Sequence, residues 1–469
     1  MGRGKYAENL DIVKFYQNEL DKKFVNIDDI LIEEAASYGC LDVLKYLHER
    51  GSKLIEECNE AALSNGHMDC LRYCHENGCP FSENSWYVAA KGGHLGCLRF
   101  LHEIGISSDD SCTSAAAKGG HLECLRYLYD IGHCLTSYTF ESAASNGHFE
   151  CLRFLYENKC PWDEDTCDAA IRFGDLTCLR FLVENGCECS ASSIEIAIDH
   201  DNLDCLRFLV ENGCMFDEES CENAVLEGHL DCLTFLHEQG CPWDVRCSHA
   251  AANSGELECL RYLHENGCPW NARTSCEAAN GGNLDCLRYL HVNGCEWDSS
   301  ACTEAARWGR LECLRYLLES GCEWNRDKCL ELAINGGYLD CLRYLHEYGC
   351  EWNEANTVLA ARKGRLGCLR YLHENGCELN IGCTGEAACH YKWDCFSYLI
   401  QNDCEFDLRF CLRKVFSRLP HTFGDDLPKY FAMIELLREK CDLEHHDFNQ
   451  ECDDAIDFNR SIRDEKNAA

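Results

Sequence analysis

Cysteine returns every 27 residues along most of this chain. Cys70, Cys97, Cys124, Cys151, Cys178, Cys205, Cys232, Cys259, Cys286, Cys313, Cys341, Cys368 and Cys395 share one sequence context, with a single 28-residue step between 313 and 341. Val43 holds the same place in a first copy, which makes fourteen. A fixed period of this size marks a chain whose units bury their apolar faces only against their neighbours. It overrides the expectation of about three independent globules for a chain of this length. Positions within a copy are counted below from this cysteine, the anchor.

The clearest copy runs Cys259-Leu260-Arg261-Tyr262-Leu263-His264-Glu265-Asn266-Gly267-Cys268-Pro269-Trp270. Leu257, Leu260, Tyr262 and Leu263 form an apolar stripe at helical spacing, so a helix is expected from two residues before the anchor to six after it. Gly267 and its equivalents stop it. A shorter helix precedes it, as in Asp163-Glu164-Asp165-Thr166-Cys167-Asp168-Ala169-Ala170, where Asp163 suits the N-cap and Glu164 and Asp165 suit the positive end of the dipole. Alanine stands eight residues before the anchor in all fourteen copies, from Ala35 to Ala387, which implies close helix-to-helix approach. Glycine stands four before it, with Asp201 and Tyr391 as exceptions, and ends the first helix. Helices of nine residues do not persist alone in water. Stacking must therefore supply the stability, at roughly 1.5–3 kcal/mol for each buried leucine.

The pattern Ala-Ala-x-x-Gly-His-Leu-Glu-Cys-Leu-Arg-Tyr-Leu at 116–128, Gly-His-Leu-Asp-Cys-Leu at 228–233 and Asn-Gly-Cys-Pro-Trp-Asn at 266–271 resemble the ankyrin repeat. The resemblance covers residues 30–407. It lacks the family's Thr-Pro-Leu-His signature, and its period is 27 rather than 33, the missing residues falling between Trp270 and Ala278 where the family carries a β-hairpin finger. It is similar to the compact, Cys- and Trp-rich variant of large DNA viruses and protists. The resemblance implies an all-α solenoid of about fourteen helix-turn-helix repeats, and a protein-binding scaffold without catalysis. It also implies that His67, His94, His121, His148 and His229 tie successive turns together by hydrogen bonds. Residues 1–29 are expected to cap one end, and residues 408–469, out of register, to form a degenerate cap and polar tail.

A formal net charge of −38 argues against nucleic acid, whose phosphates are bound by Lys and Arg, and against an anionic membrane surface. Partners with basic surfaces suit such a field. No apolar segment follows Met1–Lys5, so no signal peptide is expected, and no run is long enough to cross a bilayer. Forty-one cysteines without an export signal point to reduced thiols in the cytoplasm, or the host cytoplasm for a viral chain.

The cysteines fall into three columns: the anchors, a set nine later (Cys160, Cys214, Cys268, Cys322) and a set in the first helix (Cys167, Cys221, Cys302). Anchor and nine-later cysteine lie about 13 Å apart along a helix, too far for one tetrahedral zinc. Equivalents in adjacent repeats lie about 8–10 Å apart, beyond disulfide reach. Buried apolar thiols are the main reading, and a loop-bridging pair such as Cys160 with Cys167 is the exception left open. The histidine column His48, His75, His102, His237, His264, His291, His346 and His373 reads as a half-exposed stripe on the second helix, with a pH-sensitive contact surface as the alternative.

No nucleophile–base arrangement, phosphate loop or HExxH motif is present, so no enzyme, cofactor, metal or small-molecule substrate is expected. Trp162, Trp243, Trp270, Trp297, Trp324 and Trp352 stand in the loops between repeats. They either pack over the next first helix or act as anchors on a concave rim. The residues after them vary from copy to copy, which nominates Trp243, Arg246, Trp270, Arg273, Trp297, Trp324, Arg326, Lys328 and Trp352 for partner binding. The primary functional reading is a protein-interaction scaffold. The alternatives are a substrate adaptor for a ubiquitin ligase, resting on Leu427-Pro428-Lys429-Tyr430-Phe431, and a thiol- or zinc-based redox sensor.

Overall fold

The structure, a computed structural model, describes residues 27–407 apart from Asp109, Glu188 and Ser190, together with Phe410, Cys411 and Leu436. The expected terminal caps, but for residues 27–29, Phe410, Cys411 and Leu436, and the Leu427–Phe431 segment lie outside the described residues. Those described are all-helical, with no strand among them, and form fourteen helix pairs from Ile27–Ser37 to Trp393–Gln401. This is the all-α repeat solenoid that the period demands. They fall into two compact units, one ending at Cys241 and the other beginning at Val225, with residues 225–230 belonging to the second.

Each pair follows the pattern read from sequence. In the second unit, Val245–Ser254 is a first helix and Leu257–Glu265 a second, spanning two residues before the anchor to six after. Asn271 shows how a first helix starts: its side chain accepts from the Arg273 N–H at 3.0 Å, while its own N–H donates to Thr274 Oγ1 at 3.1 Å. That reciprocal capping box satisfies donors that the helix itself leaves open. The alanine column is buried throughout, 6 % exposed at Ala35 and 0 % at the other thirteen positions. A larger side chain there would push successive first helices apart. On the second helix, the anchor and the leucines one and four residues on are equally buried, as in Cys259, Leu260 and Leu263.

Two residues per repeat take the left-handed conformation, four before and eight after the anchor. Each lets the chain fold back over a helix end: Glu256 N–H reaches Ala251 O at 3.0 Å, and Cys268 N–H reaches Leu263 O at 2.8 Å. Asp201 and Tyr391 adopt the same positive φ as the glycines they replace, as do Lys159 and Asp403 at the later position. The two positions differ in their surroundings. A Cβ on Gly267 would meet nothing within 4 Å, whereas one on Gly255 would lie 2.7 Å from Asn283 Oδ1. The side chain three before the next anchor lies across the earlier glycine.

That side chain ties neighbouring repeats. His94 Nε2 meets Ser64 O at 2.9 Å, His121 Nε2 meets Lys91 O at 3.0 Å, and His148 Nε2 meets Lys118 O at 3.0 Å. The histidine role implied by the family resemblance is therefore present at these three turns. Later repeats reach the equivalent carbonyl with other donors: Asn283 to Asn253 O at 2.6 Å, and the Nε of Arg310 and Arg365 to Asn280 O and Asn335 O, each at 3.0 Å.

Three substitutions test this division. Gly267→Ala should cost about 1 kcal/mol for its φ alone, and Gly255→Ala about 2–3 kcal/mol because Asn283 also loses its hydrogen bond. Lys159→Gly should stabilise its repeat by about 1 kcal/mol by removing a side chain from a left-handed residue. Local opening energies from native-state hydrogen exchange of the adjoining second helices measure all three.

Candidate functional site

The second helices carry Arg two residues, Tyr three residues and His five residues after the anchor, and helical geometry sets these side chains beside the next repeat. Arg261 lies 5.5 Å over the Tyr289 ring, and the pattern continues with Arg288 over Tyr316 at 5.5 Å and Arg343 over Tyr371 at 5.6 Å. His264 Nδ1 and Tyr289 Oη share a hydrogen bond of 2.9 Å, matched by His291 with Tyr316 at 2.9 Å and His346 with Tyr371 at 3.0 Å. The expected half-exposed histidine stripe is present in these repeats, and it is bonded from one repeat to the next. Burial pushes the Tyr289 and Tyr371 hydroxyls above the ordinary phenol range, which keeps their protons in place.

The loop tryptophans complete this ladder. Trp270 stacks on His264 of its own repeat at 3.8 Å between centroids and meets Tyr289 edge-on at 6.3 Å. Trp297 on His291 and Trp352 on His346, both at 3.9 Å, repeat the arrangement. Trp324, whose repeat has Leu318 in place of histidine, packs edge-on to Tyr348 at 6.1 Å, and Trp243 packs edge-on to Tyr262 at 6.1 Å. All five are half-buried. These ring contacts are to second-helix side chains and, for Trp324, to Tyr348 at the C-cap of one, whereas the sixth loop tryptophan, Trp162, stacks on Phe140 of a first helix at 5.8 Å. Neighbours 19 residues apart meet here, and the column pattern alone does not show which columns touch.

The cations among the candidates are exposed. Arg246 Nε is 3.1 Å from Asp244 Oδ2, Arg273 Nε is 3.1 Å from Glu277 Oε1, and Lys328 Nζ is 3.0 Å from Glu331 Oε2. Arg326 lies 5.6 Å over the Trp324 ring. Each sits in the first turn of a first helix, Val245–Ser254, Ala272–Gly281 or Arg326–Gly336. Exposed pairs of this kind add at most about 1 kcal/mol, so these side chains have no heavy structural duty.

The thiols divide by column. Burial pushes the anchors Cys259 and Cys313 up to about 11 and Cys286 up to about 12, so they stay protonated and unreactive at neutral pH. Nine-later cysteines donate to the N-cap carbonyl of their own repeat's first helix, as Cys268 Sγ does to Asp244 O at 3.2 Å and Cys295 Sγ to Asn271 O at 3.3 Å. One pair departs from the expected free thiols: Cys167 is disulfide-bonded to Cys187, 20 residues on. The bond lies within one repeat. The loop-bridging partner expected for Cys167 is instead a free thiol, Cys160, which donates to Thr136 O at 3.2 Å. Sequence reasoning missed this pairing, although the 20-residue spacing between two of the cysteine columns was its signal. Among the described residues no group of three or more His, Cys, Asp or Glu is placed to hold a metal ion, and no helix is long and apolar enough to cross a membrane.

Residues 275–356 match the family model for ankyrin repeats in three copies. Solved structures match as well, among them the ankyrin repeat domain of human ASB11, 22% identical, covering 34% of this chain and 84% of that one with a TM-score of 0.30. Comparison with curated proteins gives no match.

The ladder predicts that Trp270→Ala destabilises its repeat by about 2–3 kcal/mol and Tyr289→Phe by about 1 kcal/mol, both read from hydrogen exchange. Among the described thiols, alkylation of the native protein at pH 8 should label exposed Cys134 before the buried, proton-retaining anchors Cys259, Cys286 and Cys313. Peptide mapping over time measures that order.

Proposed function

We propose that this chain, an ankyrin-repeat protein, is a non-catalytic scaffold that holds a partner protein with a basic surface along the variable first turns of its second unit. Ankyrin repeats indicate a protein–protein interaction domain. The finer reading rests on one contrast. Arg246, Arg273, Arg326 and Lys328 are exposed and change from copy to copy, while the repeated positions around them are buried or engaged in the aromatic ladder. A surface that is free to vary without loss of packing is where a partner is read.

The net charge of −38 supports a cationic partner, and three of the four tip cations sit beside a carboxylate of their own helix or its cap, which offsets them. The acidic field then draws in the partner's basic surface, and the four tip cations pair with carboxylates on that partner, which sets how long it stays. The tryptophans contribute by fixing the loops that carry those tips. A cytoplasmic setting suits the many free thiols.

The test is affinity capture by the full-length chain, followed by binding kinetics of the captured partner. Replacing Arg246, Arg273, Arg326 and Lys328 together by Ala should speed dissociation at least tenfold, with stability changed by no more than about 0.5 kcal/mol per site. Added salt should slow association. Unchanged dissociation in that variant would remove these tips from the binding face.

A further inference from the structure

One buried contact recurs inside the repeats, and no role in partner binding requires it. The side chain eleven residues before the anchor, on the first helix, meets the loop nine and ten residues after the anchor. Ser248 Oγ lies 3.4 Å from Cys268 Sγ and donates to Pro269 O at 2.9 Å, and Ser275 Oγ does the same with Cys295 Sγ at 3.4 Å and Glu296 O at 3.1 Å. Thr357 and Thr384 donate to the equivalent carbonyls of Glu378 and Glu405 at 3.1 and 2.8 Å. The fold therefore brings these two positions together whatever residues occupy them.

Cysteine fills both positions in three repeats: Cys167 with Cys187, Cys221 with Cys241, and Cys302 with Cys322. The first pair is a disulfide, with Cα atoms 6.7 Å apart, inside the roughly 7 Å limit for such a bond. The other two pairs are buried and carry no disulfide, and each interacts sulfur with sulfur. We propose that Cys221–Cys241 and Cys302–Cys322 are oxidisable dithiol sites that close to disulfides in the same place as Cys167–Cys187, with a hydroperoxide as the oxidant.

The chemistry balances with hydrogen peroxide. The Cys322 thiolate attacks one peroxide oxygen, the O–O bond breaks, and the departing hydroxide takes a proton to become water. Cys302 sulfur then attacks the resulting sulfenic sulfur. The S–S bond forms, the S–O bond breaks, and hydroxide leaves with the Cys302 proton as a second water. Two thiols lose two electrons in total and peroxide gains them. Cys322 is the better first nucleophile because it is slightly exposed where Cys302 is not, and the Cys302 hydrogen bond lowers its pKa below the ordinary thiol value. Cys241 stands in the same relation to Cys221.

Each bond would join the first helix of a repeat to the loop behind its second helix, closing that repeat on itself. The ladder between repeats and the exposed first turns would be unaltered, so this proposal stands or falls independently of the partner-binding reading.

The experiment uses the full-length protein, reduced and desalted, then exposed to submillimolar hydrogen peroxide, quenched with catalase, alkylated in denaturant and digested. Mass spectrometry should find Cys302–Cys322 and Cys221–Cys241 linked in at least half the molecules, two hydrogens lighter than the reduced peptides and reversed by dithiothreitol. Cys302→Ser should abolish the first link and keep the native circular dichroism, because serine already occupies that place at Ser248 and Ser275. Recovery of Cys302 and Cys322 as alkylated thiols would overturn the proposal, as would a link from Cys322 to Cys329 seven residues on. Either result counts whether or not Cys167–Cys187 is found bonded.

Discussion

Close approach of successive first helices over a column of alanines is the constraint on which each unit depends. With nothing beyond a methyl group at that position, one first helix lies against the next, and the second helices behind them are brought within reach of each other. Short helices that would melt in isolation are then held by the buried apolar side chains one and four residues after each anchor, leucines in nearly every copy. The two left-handed residues per repeat follow from the same geometry. A chain that must return within so few residues has no room for a longer connection.

Much of this was legible in the sequence because it is periodic. The helix bounds, the alanine contact and both helix stops appear as columns, and the positive φ of Asp201 and Tyr391 follows the register even where the residue type does not. What the columns could not show was which of them meet. Trp270 belongs by sequence to a loop, yet its ring is placed by His264 behind it and Tyr289 ahead of it. The same limit hid the Cys167–Cys187 bond: both residues were visible as members of columns, but their contact crosses from a helix to a loop 20 residues away. Periodicity reports equivalence between repeats and says little about adjacency within one.

The candidate binding residues separate along that line. Tryptophans chosen for their place in variable loops are joined to the repeated ladder by ring contacts, while neighbouring cations such as Arg273 and Lys328 pair with carboxylates of their own helices. The side chains that vary are thus carried on a frame that does not. This arrangement gives a small exposed feature a fixed position without a folded finger to support it.

The hydrogen bond between turns bears on how such a chain grows. One carbonyl position is satisfied by an imidazole at His94, an amide at Asn283 and a guanidinium at Arg310 and Arg365. A junction that accepts any of three donor chemistries needs no matched pair of neighbours. Genes built from such units can therefore gain or lose copies by unequal crossing-over, each new seam being serviceable before selection has refined it.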